Sequence, residues 1–254
     1  MGSPWADTST LRAGLSAALE EALRPLRTAT DALGVLFSGG VDSALIAWEL
    51  RLRPQVVLCT IGREKSPDLL AGRVGAERLG LPWLGVPVGR TEVESAEIRF
   101  AEELAGLSPV SRTVLLSLAV AIESASPREL VCGQGADELF LGYAHYRALD
   151  GADAERRSRE DLDRLHGTDW PRTQRIAEKA GKKIYAPYLS SPFEESARRV
   201  PVNLRLPGDL PKRFFREWAL ERGLPSELAY RPKKALQYGS GVSALIRELR
   251  RSGR

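Results

Sequence analysis

In the stretch "STLRAGLSAALEEALRPL", apolar residues recur at Leu11, Leu15, Leu19, Leu23 and Leu26 with charged residues opposite them. That spacing predicts an amphipathic helix. The period then changes. "GVLF" is a short, continuously apolar run, followed by a helical pattern from about Val41 to Leu52 and the β-rich run "QVVLCTIG". "SPDLLAGRVGAERLG" predicts a helix with Ser66 as N-cap, Pro67 at its first position and Gly80 as terminator. "WLGVPVG" predicts another strand. "TEVESAEIRFAEELAG" predicts a helix opening on a capping box of Thr91 and Glu94. A further helix, roughly Val110 to Ser124, leads into "ELVCGQGADE".

Four short apolar strand candidates thus alternate with helices. This is the pattern of an α/β fold, a parallel sheet with helices on both faces. From about Arg147 the texture becomes charged and helical with no strand signal, and Trp170, Tyr185, Tyr188, Phe193, Phe214, Phe215 and Trp218 supply it with a core. The expected organisation is an N-terminal helix over 1–30, a sheet core over 31–146, and a helical C-terminal region over 147–254 that packs on the sheet and completes the site.

Composition narrows the classes. The chain has 254 residues, 43% hydrophobic and 28% charged, which is long enough to bury a real core. A formal charge of +4 suits a polyphosphate ligand and is too weak by itself to argue for nucleic acid. Cys59 and Cys132 each lie inside an apolar run and read as buried free thiols. With no CxxC and only His145 and His166, a zinc site is not expected. No apolar signal core or membrane-length apolar stretch is present, so the expectation is a soluble, cytoplasmic protein without a membrane partner.

Two glycine-rich turns carry the chemistry. In "VLFSGGVDSALIA", a strand ends in Ser38-Gly39-Gly40 and enters a helix, which gathers backbone N–H groups at the positive end of the helix dipole. Glycines let a ligand approach the backbone, and Ser38 and Ser43 add hydroxyl donors. Asp42 would repel phosphate unless it holds a Mg2+ that bridges phosphate oxygens. The loop is neither a Walker A sequence nor a dinucleotide G-x-G-x-x-G. "VCGQGADELFLGY", residues 131 to 143, repeats the strand and glycine turn with Asp137 and Glu138, which point different ways on a helix. "YRPKKALQYGSGV", residues 230 to 242, sets basic residues before a third glycine-rich turn, and read alone it describes a solvated surface equally well.

Ser-Gly-Gly-Val-Asp-Ser resembles the pyrophosphate loop of the ATP pyrophosphatases, which cut ATP between its α and β phosphates. The second segment is similar to Gly-Glu-Gly-Ser-Asp-Glu-Leu-Phe-Gly-Gly-Tyr of the asparagine synthetases. The third is similar to their Arg-x-Lys-x-x-x-x-x-Gly-x-Gly. With smaller matches between them, the resemblance runs from about Gly34 to Val242, and the chain looks like the synthetase domain of that family. It implies the adenine-nucleotide hydrolase-like PP-loop fold with a C-terminal helical extension. The activity it implies is an AMP-forming ligase of the asparagine biosynthesis type, which adenylates a carboxylate and passes the acyl group to ammonia or an amine. ATP would lie over Ser38, Gly39, Gly40, Asp42 and Ser43, with the nucleotide also near Leu36, Thr60, Ile61, Gly133 and Gly135. Mg2+ would be held by Asp42 and Asp137. Lys233 would meet charge on the α phosphate and on the tetrahedral centre, with Arg231 and Gln134 beside it.

Three departures qualify the resemblance. Gly2 stands where full-length asparagine synthetases begin a glutaminase domain with cysteine, so the expectation is a stand-alone form that uses ammonia, a substrate amine or a separate glutaminase subunit. Gln134 and Ser190 stand where the family has a glutamate and an aspartate, which leaves the carboxylate open. Ring closure, as in β-lactam synthetases, and a homo-oligomer also stay open. The competing classes are an RNA-modifying enzyme of the same loop type and a catalytically dead nucleotide-binding protein. The first lacks a zinc ribbon, a cysteine pair and an RNA-binding module, and the second has no chemical need for Asp42, Asp137 and Lys233.

Overall fold

Four of the apolar runs, joined by a fifth strand, pair into one sheet in a computed structural model that describes residues 8–206, 208–232 and 236–252. β1 (Leu33–Leu36) is central. β2 (Val56–Gly62) lies on one side and β4 (Glu129–Val131) on the other, with β3 (Trp83–Pro87) beyond β2 and β5 (Lys183–Tyr185) beyond β4. All four pairings are parallel.

Side chains along β2 show why these runs are strands. Val56 and Leu58 enter one core, while Val57, Cys59 and Ile61 enter the other, the period-2 alternation of a sheet buried on both faces. The first face is covered by α1 (Thr8–Thr28), α2 (Val41–Leu50) and the end of α3 (Pro67–Leu79). α4 (Arg90–Arg99), α5 (Ala101–Leu104) and α6 (Pro109–Ser124) cover the second. Ser66 caps α3 through a 3.4 Å bond accepted from the Leu69 N–H, and Gly80 ends it in the left-handed region, as the sequence predicts. The expected fold class, a parallel sheet with helices on both faces, is the one observed.

Beyond β4 the chain forms α7 (Ala136–Leu139), α8 (Gly151–Arg164) and α9 (Trp170–Lys179), the last two joined by a π-helical turn over Leu165–Asp169. After β5 come α10 (Ser191–Arg198), α11 (Val202–Arg205), α12 (Arg213–Glu221), α13 (Ser226–Ala229), α14 (Leu236–Gly239) and α15 (Val242–Ser252).

Three sequence expectations are corrected here. The region after Arg147 does contain a strand: "KIY" is only three residues long, but Lys183, Ile184 and Tyr185 register against Glu129, Leu130 and Val131. Its length, not its chemistry, hides it. The capping box of α4 is not Thr91 with Glu94. Glu92 accepts the Gly89 N–H at 2.7 Å, so the helix starts at Arg90 and needs no hydroxyl cap. Finally, the aromatic residues of the C-terminal region do not form a core of their own. Tyr188, Phe193, Phe214, Phe215 and Trp218 are buried in the same cluster as Leu19, Leu23, Val35 and Leu45.

Candidate active site

β1 and β4 are neighbours, yet their connections leave in opposite directions, β1 through α2 to β2 and β4 toward β5. A crevice opens at the carboxyl ends of strands where the order reverses in this way, and ligands of open α/β sheets bind there. Both glycine-rich turns sit at that point.

The first turn is built by close approach. Gly39 takes φ +69°, and a Cβ there would lie 2.9 Å from Arg231 Nη1 and 3.2 Å from the Ala71 carbonyl oxygen. Gly40 is the N-cap of α2 and offers no side-chain cap to its first N–H groups. The Ser43 hydroxyl instead donates to the Gly40 carbonyl at 3.2 Å and accepts the Ser38 N–H at 3.4 Å, which ties the turn to itself. Arg231 donates to the Ser38 carbonyl at 3.0 Å. The third segment therefore reaches the first loop across 193 residues of sequence.

The second turn abuts the first. A Cβ on Gly133 would stand 2.9 Å from Asp42 Cβ and 3.3 Å from the Ser43 nitrogen. Gly135 is left-handed at φ +97° and faces Leu189, just before Ser190. Gln134 is half-buried, and its side-chain oxygen accepts a weak bond from the Cys132 thiol at 3.6 Å. The Ser190 hydroxyl donates to the Pro187 carbonyl at 2.8 Å. From the same turn, the Tyr188 hydroxyl donates to the Asp42 carbonyl at 2.8 Å and fixes the start of α2.

Asp42 and Asp137, from different loops, converge on one atom. Lys212 Nζ donates to Asp42 at 2.6 and 2.7 Å and lies 2.7 Å from Asp137 Oδ1. Burial disfavours the charged ammonium, but Asp137 and Asp42 more than reverse this and hold the Lys212 pKa above its ordinary value. Two carboxylates thus present hard oxygen donors to a single point. This donor set fits Mg2+, which is commonly held by one or two carboxylates and completed by substrate phosphates. No cluster of three or more His, Cys, Asp or Glu ligands exists among the described residues, so the set does not suit a metal held by protein alone. Glu138 turns away from this point. It is buried and accepts the Tyr143 hydroxyl at 2.7 Å, and burial raises its pKa to about 7.

The remaining sequence candidates separate by role. Leu36 ends β1 beside the first turn. The Thr60 hydroxyl donates to the Phe37 carbonyl at 2.7 Å and accepts Trp83 Nε1–H at 3.0 Å, while the Ile61 side chain is buried in the second core. Only the backbone at these two positions is left to meet a ligand. Lys233 lies outside the described residues. Sequence reasoning missed Lys212, Tyr188 and Arg216. Arg216 is buried and donates to the Pro211 carbonyl at 2.8 Å and to the Ala229 carbonyl, holding the segment that delivers Arg231. The available signal was "PKRFFREW", where Lys212 and Arg216 stand four apart at the start of an aromatic helix.

Comparison with known proteins places the chain in a family. The family model described as asparagine synthase matches residues 14–164 and 149–253. A putative glutamine-hydrolysing asparagine synthetase of Methanocaldococcus jannaschii is 28% identical over 255 residues, covering 85% of this chain and 47% of that protein. The glutamine-hydrolysing asparagine synthetase of Mus musculus is 30% identical over 250 residues, covering 93% of this chain and 45% of the other. The chain thus spans about half the length of the curated relatives it matches. Among solved structures, the U34-tRNA thiolase NcsA of Methanococcus maripaludis overlaps 95% of this chain and 80% of its own, with 15% identity and a TM-score of 0.40. That superposition is too loose to bear on function.

Proposed function

The chain belongs to the asparagine synthase family, and from that premise we propose that it is an ATP-dependent, AMP-forming amide ligase. It activates a small-molecule carboxylate as the acyl adenylate and releases pyrophosphate. Ammonia or an amine then attacks the acyl carbon and AMP leaves. The observation that carries this reading is the convergence of Asp42 and Asp137 on one point beside the Ser38–Ser43 turn.

Each residue has a role set by its chemistry. The backbone N–H groups at the start of α2, with Ser38 and Ser43, bind the departing pyrophosphate. Asp42 and Asp137 hold Mg2+, which when bound neutralises negative charge on the phosphates. Arg231 braces the turn from below through the Ser38 carbonyl. Tyr188 fixes Asp42 from the other side, through its carbonyl. Lys233, two residues past Arg231, stabilises charge on the α phosphate and on the tetrahedral oxyanion. Gln134 and Ser190 line the acyl side, where the family's acids would otherwise bring negative charge. The nitrogen arrives as free ammonia, as an amine on the substrate, or from a separate glutaminase subunit.

The test is to incubate the protein with ATP, Mg2+ and a panel of carboxylates, with and without ammonia, and to follow AMP and pyrophosphate by mass spectrometry. We expect both products with one carboxylate and none with Asp42→Asn. Lys233→Ala should still bind ATP and lose about 10²–10³ in kcat. ADP in place of AMP, or near-normal turnover by Lys233→Ala, would remove the assignment. Turnover on RNA alone would move the protein to the nucleobase-modifying class.

A further inference from the structure

Lys212 stands at the centre of the site, and the reading above gives it no role. It is 5% exposed and its ammonium sits on both carboxylates that the proposed function gives to Mg2+. The surroundings are shaped to put it there. Lys212 is the residue before α12 and adopts φ +58°, a left-handed conformation that costs a non-glycine residue energy and persists only where its neighbours enforce it. Gly142 provides the room: a Cβ there would lie 2.9 Å from Lys212 Cδ and 2.0 Å from Asp137 Oδ1. Its N–H also donates to the Asp137 carbonyl at 2.8 Å, which holds that acid in place.

An ammonium and a divalent cation need the same carboxylate oxygens, and two cations cannot share them without strong repulsion at this spacing. Nor can Lys212 simply withdraw, because a buried ammonium without a counter-ion is costly. A triphosphate resolves the conflict, since it brings the metal and at the same time gives the displaced ammonium a new anion. We propose that Lys212 is a built-in competitor of the divalent cation, so that the protein alone rejects the free ion and admits it only together with a polyphosphate. This rests on the proposed function only in taking Asp42 and Asp137 as the cation ligands.

The experiment measures Mn2+, by its electron paramagnetic resonance signal, binding to the full chain without nucleotide. Wild-type protein should bind weakly, and Lys212→Met, which keeps the aliphatic stem and loses the charge, about tenfold or more tightly, a change in the range of site–site couplings. Lys212→Arg, with the charge restored, should return to weak binding. Mn2+ should also raise the Tm of Lys212→Met and leave that of wild type unchanged, a readout that holds even if the variant is less stable. Adding a non-hydrolysable ATP analogue to wild type should tighten Mn2+ binding. Equal Mn2+ affinity and equal Tm response in wild type and Lys212→Met, whether tight or weak, would overturn the competition. The two failures are distinguishable: nucleotide-dependent tightening lost in Asp42→Asn would leave the cation site standing when the competition falls, and its absence in wild type would remove the site itself.

Discussion

At the scale of single residues, the site depends on side chains that are missing as much as on those present. Gly133 packs against the Asp42 Cβ and the adjoining backbone of the facing loop, not against the far end of a flexible side chain, so a methyl group has nowhere to go. Gly133→Ala should destabilise the protein by about 1–3 kcal/mol, the usual range for overpacking. It should also push the two acid-bearing turns apart. Thermal denaturation reads the first effect and AMP formation the second, and an unchanged Tm would mean the loops are not in register as described. The sequence makes the glycines, Asp42 and Asp137 legible because turns and anion cradles have local signatures. It does not make Lys212 legible. Nothing local says that a lysine 170 residues from Asp42 is buried against it. A buried ion pair has no periodicity and no motif, only a partner.

At the scale of elements, short pieces of structure are held by long side chains. α7, which carries Asp137, is only four residues long and cannot stand alone. Arg205, buried on α11, donates to the Leu139 carbonyl at 3.0 Å and the Val200 carbonyl at 3.0 Å, and pairs with Glu155 on α8. Arg205→Met removes three partners at once and leaves buried carbonyls unsatisfied. A loss of about 3 kcal/mol is expected from urea denaturation. A change within 0.5 kcal/mol, the scale of ordinary surface substitutions, would mean α7 is anchored by other contacts. The same scale explains what sequence reading found and what it lost. α3 has cap, proline and terminator in the expected places because those signals are local. β5 has three residues and is specified by its position beside β4, a long-range fact. The start of α4 moved because Glu92 could satisfy the helix end without a hydroxyl neighbour.

At the scale of the whole molecule, the expected segmentation into a sheet core over 31–146 and a helical region over 147–254 does not coincide with a division of the hydrophobic interior. α1, one face of the sheet and the late aromatics share one cluster. A fragment of residues 31–146 should therefore fail to fold, as judged by near-ultraviolet circular dichroism and proteolysis, whereas a sharp, cooperative melt of that fragment would show it to be an independent unit. The two thiols report the same cooperativity. Burial raises the pKa of Cys59 to about 11 and that of Cys132 to about 12. A raised thiol pKa means the folded protein holds the proton, so at pH 8 almost no thiolate is present at either position. Both should be inert to a thiol reagent such as 5,5′-dithiobis(2-nitrobenzoic acid) at pH 8 and react together on unfolding. Fast labelling of one in the native protein would mean a local opening of the structure around it.

The strand order carries one more consequence, for the moment of synthesis. β1 is made before all of its partner strands, and the free edge of β4 stays uncovered until residues 183–185 have left the ribosome. Asp42 waits longer still, for Lys212, and the turn at Ser38 waits for Arg231. A chain whose central contacts span most of its length collapses late and slowly. Until residues 183–185 have emerged, a nascent polypeptide of this kind presents an apolar, half-paired sheet edge to solvent. A premature stop before α12 removes Phe214, Phe215 and Trp218 and so leaves the hydrophobic interior incomplete.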